Sequence, residues 1–374
     1  MSSPAYRARL ADPQYWREQI KCQFACPVHT DARGYVRAIA EGDYERAYLI
    51  ARGPNPLASI CGRICGAPCE ADCRRGSIDQ PIAIRALKRF ACERFGVEAI
   101  ADPGSVHFPY VQEHTRPRAC DDQDELRHLL AFLATASFPK PAGEPVAIIG
   151  SGPAGLAAAH DLALMGFRPT VFEMEPLPAG MLFTGVPGYR LPADLIRAEV
   201  AVIQALGVEI RCNVQVGKDI SFDDLRRQFA AVIIACGAKR SRPLPIPGTD
   251  AIGVFGGVDF LRDVALGKRV ELGARVIVIG GGNVAYDVAR TVLRQEEYDV
   301  SRTAARLPGV REVHLVCLES LEEMPADTVE ILEGAEEGVT RHNSWGPKEI
   351  LYREKDGQKF ACGVRFIRCR SVYD

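Results

Sequence analysis

Four cysteines recur at every fourth position of the segment ICGRICGAPCEADC, and two further cysteines precede them. The four are Cys61, Cys65, Cys69 and Cys73, and the earlier two are Cys22 and Cys26. Thiolates are the ligands that iron–sulfur clusters and structural zinc ions take from proteins. Gly62, Gly66 and Pro68 make a continuous helix through this segment unfavourable, so one helical face does not explain the spacing. The segment is therefore predicted to bind metal, with an iron–sulfur cluster and zinc as the two alternatives.

The composition argues against several function classes. The chain has 374 residues, enough for two or three domains, with 47% apolar residues, 25% charged residues and a net charge of -2. This balance gives no indication of binding to nucleic acid or to a membrane surface. The sequence shows no signal peptide and no apolar run of membrane-spanning length, so we expect a cytoplasmic location without membrane insertion.

The cysteine count argues against disulfide bonds. An odd number of cysteines, 13 in all, cannot pair completely, and a reducing compartment would keep them as thiols. Cysteines outside the clustered six, such as Cys92, Cys120 and Cys212, are expected to be small core residues. For the six clustered cysteines, metal binding or redox chemistry is the leading interpretation.

The segment VAIIGSGPAGLAAA has the pattern of a strand, a glycine-rich loop and a helix. Gly150 permits a tight turn, Gly152 permits close approach of a pyrophosphate, and Gly155 permits close packing of the helix on the strand. The next apolar segment ends in Glu173, at the distance where an acid binds a ribose hydroxyl. Together these features predict a dinucleotide site, and a tight turn without a ligand is the alternative.

The segment VIVIGGGNVAYDVAR repeats the pattern with Gly280, Gly282 and the small Ala285. Two dinucleotide sites in one chain indicate a tightly held flavin and an exchanging nicotinamide cofactor, with hydride passing between them. Glu319 follows the next predicted strand, where a carboxylate would repel a 2′-phosphate and accept a hydrogen bond from a free 2′-hydroxyl. We therefore predict NADH rather than NADPH, with a merely solvated Glu319 as the alternative.

The patterns divide the chain into four segments. Residues 1–120 are predicted to be a helical domain that holds the cysteines, and residues 121–144 to be a helix and a proline-rich linker. Residues 145–268 and 269–374 are predicted to be α/β with parallel sheets, each carrying one glycine loop. Between the loops, VIIACGA is predicted to be a buried strand. Cys236 in this strand is expected to pack, because the chain contains no Cys-x-x-Cys pair for dithiol chemistry.

The chain resembles the small subunit of glutamate synthase and the matching N-terminal part of dihydropyrimidine dehydrogenase. The resemblance rests on CQFACPVHT, GRICGAPCEADC, AIIGSGPAGLAAA, GVPGYRLP, VIIACGA, VIGGGNVAYDVAR and EEMPAD, which occur in the family's order. It implies an α-helical iron–sulfur domain followed by an FAD-binding domain with an NAD(P)H-binding domain inserted in it. Iron–sulfur is then favoured over zinc, because electrons that enter at flavin and nicotinamide sites need a way out.

The resemblance implies site residues for each cofactor. The cluster ligands that match are Cys22, Cys26, Cys65, Cys69 and Cys73, with Cys61 the weakest candidate. The FAD positions are Gly150, Gly152, Pro153, Ala154, Gly155, Glu173, Gly180, Arg190, Gly237 and Ala238. The nicotinamide positions are Gly280, Gly281, Gly282, Asn283, Val284 and Ala285, and Glu319 stands where many relatives carry arginines.

The supply of ligands limits the number of clusters. Lys88 stands where the family can provide a Glu or Gln ligand, and no cysteine precedes Cys22, although the two-cluster pattern has two there. We expect one 4Fe-4S cluster, held by Cys26, Cys65 and Cys69 with Cys22 or Cys73 as the fourth ligand. Two clusters would require unusual ligands or ligands from a partner.

The resemblance implies the function of an oxidoreductase subunit. NADH would give hydride to FAD, and a 4Fe-4S cluster would pass single electrons to a partner subunit or a ferredoxin-like carrier. The family's return to the FAD domain is not found before the sequence ends at RCRSVYD, so the last domain is expected to be truncated. Either a second chain completes the FAD domain or the chain is a fragment. The alternatives are a catalytically incomplete docking subunit and a self-contained oxidoreductase with its own organic substrate.

Overall fold

The computed structural model describes residues 15, 19–99, 143–298 and 309–372. Most of the predicted linker and Cys120 lie outside these residues. The chain divides into two compact units: the first combines Met1–Leu182 with Tyr189–Gly237, and the second combines Phe183–Gly188 with Ala238–Asp374. The second unit thus begins its main segment before residue 268, and the domain boundaries drawn from the sequence stay predictions.

Short helices form the N-terminal part of the first unit. They are α1 (Lys21–Phe24), α2 (Ala32–Ala40), α3 (Tyr44–Arg52), α4 (Ala58–Ile64), α5 (Pro68–Ala71) and α6 (Ile84–Phe95), with 3-10 turns at Arg74–Ser77 and Val97–Ala99. Asp31 and Asp43 cap α2 and α3 by accepting hydrogen bonds from backbone N–H groups in the first turns. The fully buried Tyr35 of α2 donates from Oη to the carbonyl oxygen of Ile84, at 3.2 Å, and so fixes α2 against α6. The predicted helical domain is confirmed.

A parallel α/β sheet completes the first unit. Its strands are β1 (Pro145–Ile149), β2 (Arg168–Phe172), β3 (Glu209–Arg211) and β4 (Ala231–Ile234), in the order β3-β2-β1-β4. The accompanying helices are α7 (Pro153–Met165), α8 (Met181–Thr184), α9 (Ala193–Ala205) and α10 (Phe222–Gln228), of which α8 begins in this unit and ends in the second. Ala147, Phe172 and Leu225 form the core between the sheet and α10. Because β1 and β2 are parallel neighbours, their carboxyl ends bring the first glycine loop next to Glu173.

Buried polar contacts join the helices to this sheet within the first unit. Glu199 of α9 is fully buried, and its Oε1 accepts a hydrogen bond from the backbone N of Ser59 at 3.0 Å. Arg52 of α3 is 1% exposed, and its Nη2 lies 3.4 Å from Nε2 of the buried His160 on α7. The N-terminal helices therefore pack directly on the α/β part of this unit: α4, which carries Cys61, on α9, and α3 on α7.

The second unit contains its own parallel sheet and a β-hairpin. The elements are α11 (Gly257–Ala265), β5 (Arg275–Ile279), α12 (Asn283–Tyr298), β6 (Glu312–Val316), α13 (Thr328–Glu336), β7 (Thr340–His342), β8 (Trp345–Lys355) and β9 (Gln358–Arg368). Strands β5, β6 and β7 pair in that order, and β8 pairs antiparallel with β9. The buried Arg290 of α12 binds Glu330 and Glu337 through its guanidinium group, which ties α12 to the end of α13. In the described part of the chain, no helix has the length and apolar character needed to cross a membrane.

The segment VIIACGA forms a strand as predicted, but the prediction that this strand is buried is wrong. Strand β4 forms, but it is an edge strand of the described sheet, with a neighbour only on the β1 side. Ile234 is 65% exposed. Cys236 was predicted to pack in the core, but it is exposed. Cys92 is fully buried as predicted, whereas Cys212 is only half-buried.

Candidate functional site

The first glycine loop joins β1 to α7. Gly150 has φ +103°, and a Cβ there would lie 2.4 Å from the carbonyl oxygen of Ala235. A Cβ on Gly155 would lie 2.0 Å from the carbonyl oxygen of Gly150, so helix and loop are in backbone contact. Gly152 faces open space: apart from its own neighbours along the chain, no described residue comes within 4 Å of the place of a Cβ. Packing thus requires the first and third glycines, while the second leaves room for a phosphate at the helix N-terminus.

The acid after β2 is bound by this loop. Glu173 is 1% exposed, and its Oε2 accepts hydrogen bonds from Ser151 N at 2.9 Å and from Ser151 Oγ at 2.6 Å. The Ser151 hydroxyl in turn accepts a hydrogen bond from Ala179 N at 3.0 Å. Gly180 follows with φ +53° and packs on the loop, since a Cβ there would lie 2.9 Å from the Cα of Gly152. Ser151 therefore connects the loop, the acid and the segment before α8.

Sequence reasoning missed Ser151, although a signal was available. Its hydroxyl lies between the first two glycines of the motif, where a side chain can reach the acid at the end of the neighbouring strand. The other carboxylate oxygen of Glu173, Oε1, accepts a hydrogen bond from Glu175 N at 2.9 Å. Each carboxylate oxygen can accept more than one hydrogen bond, so a ribose contact at Glu173 stays a prediction.

The remaining residues predicted to bind FAD come from several other segments of the chain. Pro153 and Ala154 form the exposed first turn of α7, next to the open space at Gly152. Arg190 is half-buried in the first unit. Gly237, with φ +63°, ends the first unit after β4, and the exposed Ala238 begins the main segment of the second unit. The structure thus brings the loop, Glu173 and Gly180 together in one site, and the end of β4 reaches the same loop at Cys236, one residue before Gly237. The roles of Arg190, Gly237 and Ala238 stay predictions.

The second glycine loop joins β5 to α12. Gly280 has φ +144°, and a Cβ there would lie 3.3 Å from the Cβ of Ala285. The nearest atom to the place of a Cβ on Gly282 is 4.0 Å away, so this glycine again leaves open space. Asn283 exchanges two hydrogen bonds with Asp327, from Asn283 Nδ2 to Oδ2 at 3.0 Å and from Asp327 N to Asn283 Oδ1 at 2.7 Å. Val284, in the first turn of α12, is 51% exposed.

Glu319 lies against the second loop with a free carboxylate oxygen. Its Oε2 would be 2.6 Å from a Cβ on Gly281, and it is buried without a hydrogen-bond partner among the described residues. Its backbone carbonyl oxygen accepts hydrogen bonds from Asn343 Nδ2 at 3.2 Å and from Ser344 N at 3.0 Å. The main chain is therefore held in place while the carboxylate faces the loop. A buried carboxylate oxygen without a partner fits a ligand hydroxyl that would donate to it.

Cys317 lies beside this loop in an environment that disfavours its thiolate. Burial, and then the charge of Glu319, raise the pKa of Cys317 to about 11. Its thiol therefore stays protonated at neutral pH, and reactivity requires the thiolate. The sequence also contains no Cys-x-x-Cys pair of the kind that dithiol exchange uses.

The six clustered cysteines occupy the ends of short helices in the first unit. Cys22 lies in α1 and Cys26 just after it, Cys61 lies in α4, Cys65 ends α4, Cys69 lies in α5, and Cys73 precedes the first 3-10 turn. All six are half-buried free thiols. Cys65 is extended and Ala67 has φ +50°, which interrupts the helix between α4 and α5 as Gly66 and Pro68 predicted. Cys65 Sγ accepts a hydrogen bond from Ala67 N at 3.4 Å.

The thiols influence one another electrostatically. Burial, then Cys65, Glu70 and Cys26, raise the pKa of Cys69 to about 11. Burial raises the pKa of Cys22, and Cys73 adds to this shift. Cys26, Cys65 and Cys69 are thus close enough to interact, and so are Cys22 and Cys73. Burial raises the pKa of Cys61 and Cys65 adds to this shift, while a hydrogen bond with Asn55 and the charge of Lys88 oppose it.

The donor set suits an iron–sulfur cluster. Within the described residues, no three histidine, cysteine or carboxylate side chains converge closely enough to hold a single metal ion. In a cubane each thiolate binds a different iron, so its ligands stand farther apart than four thiolates around one zinc ion. Soft thiolates from two separate segments, already within electrostatic reach of each other, match this requirement. Cys26, Cys65 and Cys69, with Cys22 or Cys73, stay the predicted ligands.

Comparison with known families assigns both halves of the chain. The family described as dihydropyrimidine dehydrogenase domain II, 4Fe-4S cluster, matches residues 17–99, and the family described as pyridine nucleotide-disulphide oxidoreductase matches residues 144–344. The chain belongs to the pyridine nucleotide-disulphide oxidoreductase family. Its N-terminal helices form a 4Fe-4S domain of the dihydropyrimidine dehydrogenase type. The predicted preference for iron–sulfur over zinc is confirmed.

Several relatives combine the same two parts. The chain is 38% identical over 349 residues to the NADP(+)-dependent formate dehydrogenase subunit beta of Moorella thermoacetica, covering 91% of this chain and 45% of the relative. It is 30% identical over 358 residues to the NAD-dependent dihydropyrimidine dehydrogenase subunit PreT of Escherichia coli, covering 93% and 74%. It is 28% identical over 359 residues to the glutamate synthase [NADPH] small chain of Azospirillum brasilense, covering 93% and 65%. The resemblance, the fold class and the oxidoreductase class predicted from the sequence are confirmed.

The chain is shorter than many of these proteins. It spans less than half the length of the formate dehydrogenase subunit that it matches. Among solved structures, FprA of Mycobacterium tuberculosis in complex with NADPH matches with a TM-score of 0.50 and 22% identity, covering 60% of this chain and 69% of that one. This likeness supports the α/β fold of the dinucleotide-binding part.

Proposed function

We propose that this chain is the electron-input part of an oxidoreductase complex. The two glycine loops would hold FAD and NADH, and the helical domain would hold a single 4Fe-4S cluster; these groups would supply hydride transfer and single-electron transfer to an acceptor. When bound, FAD supplies the conversion from two-electron to one-electron transfer. The residues of the chain hold the phosphates at Gly152 and Gly282, orient the riboses at Glu173 and Glu319, and bind iron through the clustered cysteines.

One observation carries this proposal. Helix α4, which carries Cys61, packs on α9, and the neighbouring α3 packs on α7, so the cluster domain and the first glycine loop belong to one compact unit. A flavin site and a cluster site in one packed unit are what single-electron transfer between them requires. A self-contained oxidoreductase with its own organic substrate would need neither this packing nor a cluster as an exit for electrons.

The acceptor is proposed to be another polypeptide. The relatives from Moorella and Escherichia coli are named as subunits, and the chain spans only part of the Moorella protein. A partner subunit or a ferredoxin-like carrier would therefore receive the electrons. A further segment or chain would complete the FAD domain beside β4, whose exposed Ile234 marks an edge open to pairing.

The preference for NADH rests on Glu319. Its buried, unpartnered Oε2 beside Gly281 can accept a hydrogen bond from a ribose 2′-hydroxyl, while its charge opposes a 2′-phosphate. The Moorella relative is named for NADP(+) and the Escherichia coli relative for NAD, so relatives of both kinds exist.

An anaerobic absorption spectrum tests the main proposal. We expect flavin bands above broad sulfide-to-iron absorption in the purified chain, and bleaching of both after addition of a slight excess of NADH. Broad absorption without flavin bands, unchanged by NADH, would support instead a docking subunit that binds a cluster without turnover. Bleaching that reverses with a small organic compound and no protein acceptor would favour the self-contained enzyme.

The Glu319→Arg variant tests the preference for NADH. We expect the ratio of flavin reduction efficiencies, NADH over NADPH, to fall by at least about tenfold, because a carboxylate that accepts from the 2′-hydroxyl is replaced by a cation that suits a 2′-phosphate. Stopped-flow reduction with each cofactor measures this ratio. Glu319→Gln serves as the control, since it removes the charge without adding a phosphate ligand. A wild-type chain that reduces faster with NADPH, together with an unchanged ratio in Glu319→Arg, would contradict the proposal.

A further inference from the structure

A lysine lies inside the helical domain, against the cysteines. Lys88 is on the buried face of α6, between Ile84 and Cys92, and is 9% exposed. Its Nζ lies 5.8 Å from the centre of the Tyr35 ring. Among the described residues, no carboxylate comes within salt-bridge distance of it. A buried ammonium group usually has a negative partner, because removing its charge from water is costly.

The groups around Lys88 are thiols. Burial raises the pKa of Cys69, and among its neighbours Cys65, Glu70 and Cys26 add to this effect while Lys88 opposes it. Lys88 likewise opposes the effect of burial on Cys61 and Cys92. Packing agrees with this: Tyr35, whose ring lies 5.8 Å from Lys88 Nζ, shares one core cluster with Ile84 and Cys92 of α6. Cys22 and Cys69 pack against the same cluster.

The same helix face presents a second cation to the cysteine segment. Arg85, one turn before Lys88, donates from Nη1 to the carbonyl oxygen of Cys65 at 2.6 Å, and its backbone N donates to Glu70 Oε1 at 2.7 Å. Arg85 thus has partners in the chain, whereas Lys88 has none of opposite charge. Bound thiolates and the net negative charge of an iron–sulfur cluster would be the missing counter-charge.

We propose that Lys88 is the counter-cation of the iron–sulfur site and holds the reduction potential of the cluster above the value that a neutral side chain would give. The proposal rests on the function proposed above, in which these cysteines bind a 4Fe-4S cluster. Reduction adds one electron to the cluster and so increases its negative charge. A nearby ammonium group in a low-dielectric environment stabilises the more negative state, and the potential rises.

A redox titration of the full chain, followed by the EPR signal of the reduced cluster, tests this role. We compare the wild type with Lys88→Met, Lys88→Gln and Lys88→Arg. The two neutral variants should shift the midpoint potential to more negative values, and the arginine variant should keep it near the wild-type value. Arg89→Met is the matched control on the same helix, because Arg89 is 49% exposed and pairs with Glu93 at 2.6 Å. We expect no shift in this control.

The possible results separate the two proposals. Cluster-containing Lys88→Met and Lys88→Gln with the wild-type potential would overturn the role of Lys88 and leave the proposed function intact. Loss of iron in both neutral variants, with a full cluster and normal potential in Lys88→Arg, would support the need for a cation. Loss of iron in all three would overturn the charge argument, since Lys88→Arg keeps the charge. A wild-type chain that assembles no cluster under reconstitution with iron and sulfide would instead contradict the proposed function.

Discussion

Ser151 follows the first glycine of the loop in the first unit, whereas Gly281 holds the same place in the second unit. The serine donates two hydrogen bonds to Glu173, so the acid of the first site is held by the loop before any ligand arrives. The glycine has no side chain to donate, and Glu319 keeps a buried oxygen without a partner in the described chain. The two sites share the same strand–loop–helix pattern, and they differ in whether the residue after the first glycine has a side chain that can bind the acid.

The difference fits the two cofactors proposed for these sites. A preorganised acid lowers the cost of ordering the site, which favours a cofactor that stays bound. An acid that lacks a partner until a ribose hydroxyl arrives makes the affinity depend strongly on that hydroxyl, which suits discrimination between two exchanging nicotinamide cofactors. The predictions below test whether this contrast lies in the loops.

The largest effect is expected at the third position of the motif. Gly155→Val would put a side chain where even a Cβ lies 2.0 Å from a backbone oxygen that cannot move freely. We expect a loss of stability of about 3 kcal/mol and of most flavin binding, measured by thermal unfolding and by flavin content per chain. Ala285→Gly in the second loop is the control and should change both little. Normal flavin content in Gly155→Val would show that the first loop is not the flavin site.

A smaller effect is expected at Ser151. Ser151→Ala removes the 2.6 Å hydrogen bond to Glu173 and leaves Ala179 N without its partner. Buried groups left unpaired in this way cost about 1–3 kcal/mol. Dialysis against flavin-free buffer should therefore release flavin faster, and the melting temperature should fall. Ser77→Ala changes an exposed serine and should alter neither quantity; equal behaviour of the two variants would remove the distinction drawn here between the loops.

The smallest effect is expected from giving the second loop the residue of the first. Gly281→Ser adds a hydroxyl beside Glu319, whose flexible carboxylate can shift to accept from it. Competition with the ribose hydroxyl should raise the Kd for NADH by about five- to tenfold, which corresponds to about 1 kcal/mol. Fluorescence titration with NADH measures this change, with Gly281→Ala reporting the effect of the added Cβ alone. If Gly281→Ser and Gly281→Ala weaken NADH binding equally, the serine hydroxyl does not account for the difference between the two loops.

Much of the architecture was predictable because local patterns specify it. The aspartates before α2 and α3, the glycines after β1 and β5, and the apolar runs of parallel strands each act through neighbouring residues. The break between α4 and α5 was likewise visible in Gly66 and Pro68. The burial of VIIACGA was not predictable, because an apolar strand has the same local pattern at the edge of a sheet as at its centre.

The amino-acid sequence by itself determined the elements, the two glycine loops and the residue types available for a cluster. Glycine spacing constrains the backbone locally, and thiolate chemistry limits the choice of metal. Only the tertiary structure decided the surroundings of the buried charged groups. Glu173 is paired with Ser151, Glu319 keeps one oxygen without a partner among the described residues, and Lys88 lies in the core on which Cys22 and Cys69 pack. These contacts join residues that are far apart in the chain, so they depend on how strands and helices pack.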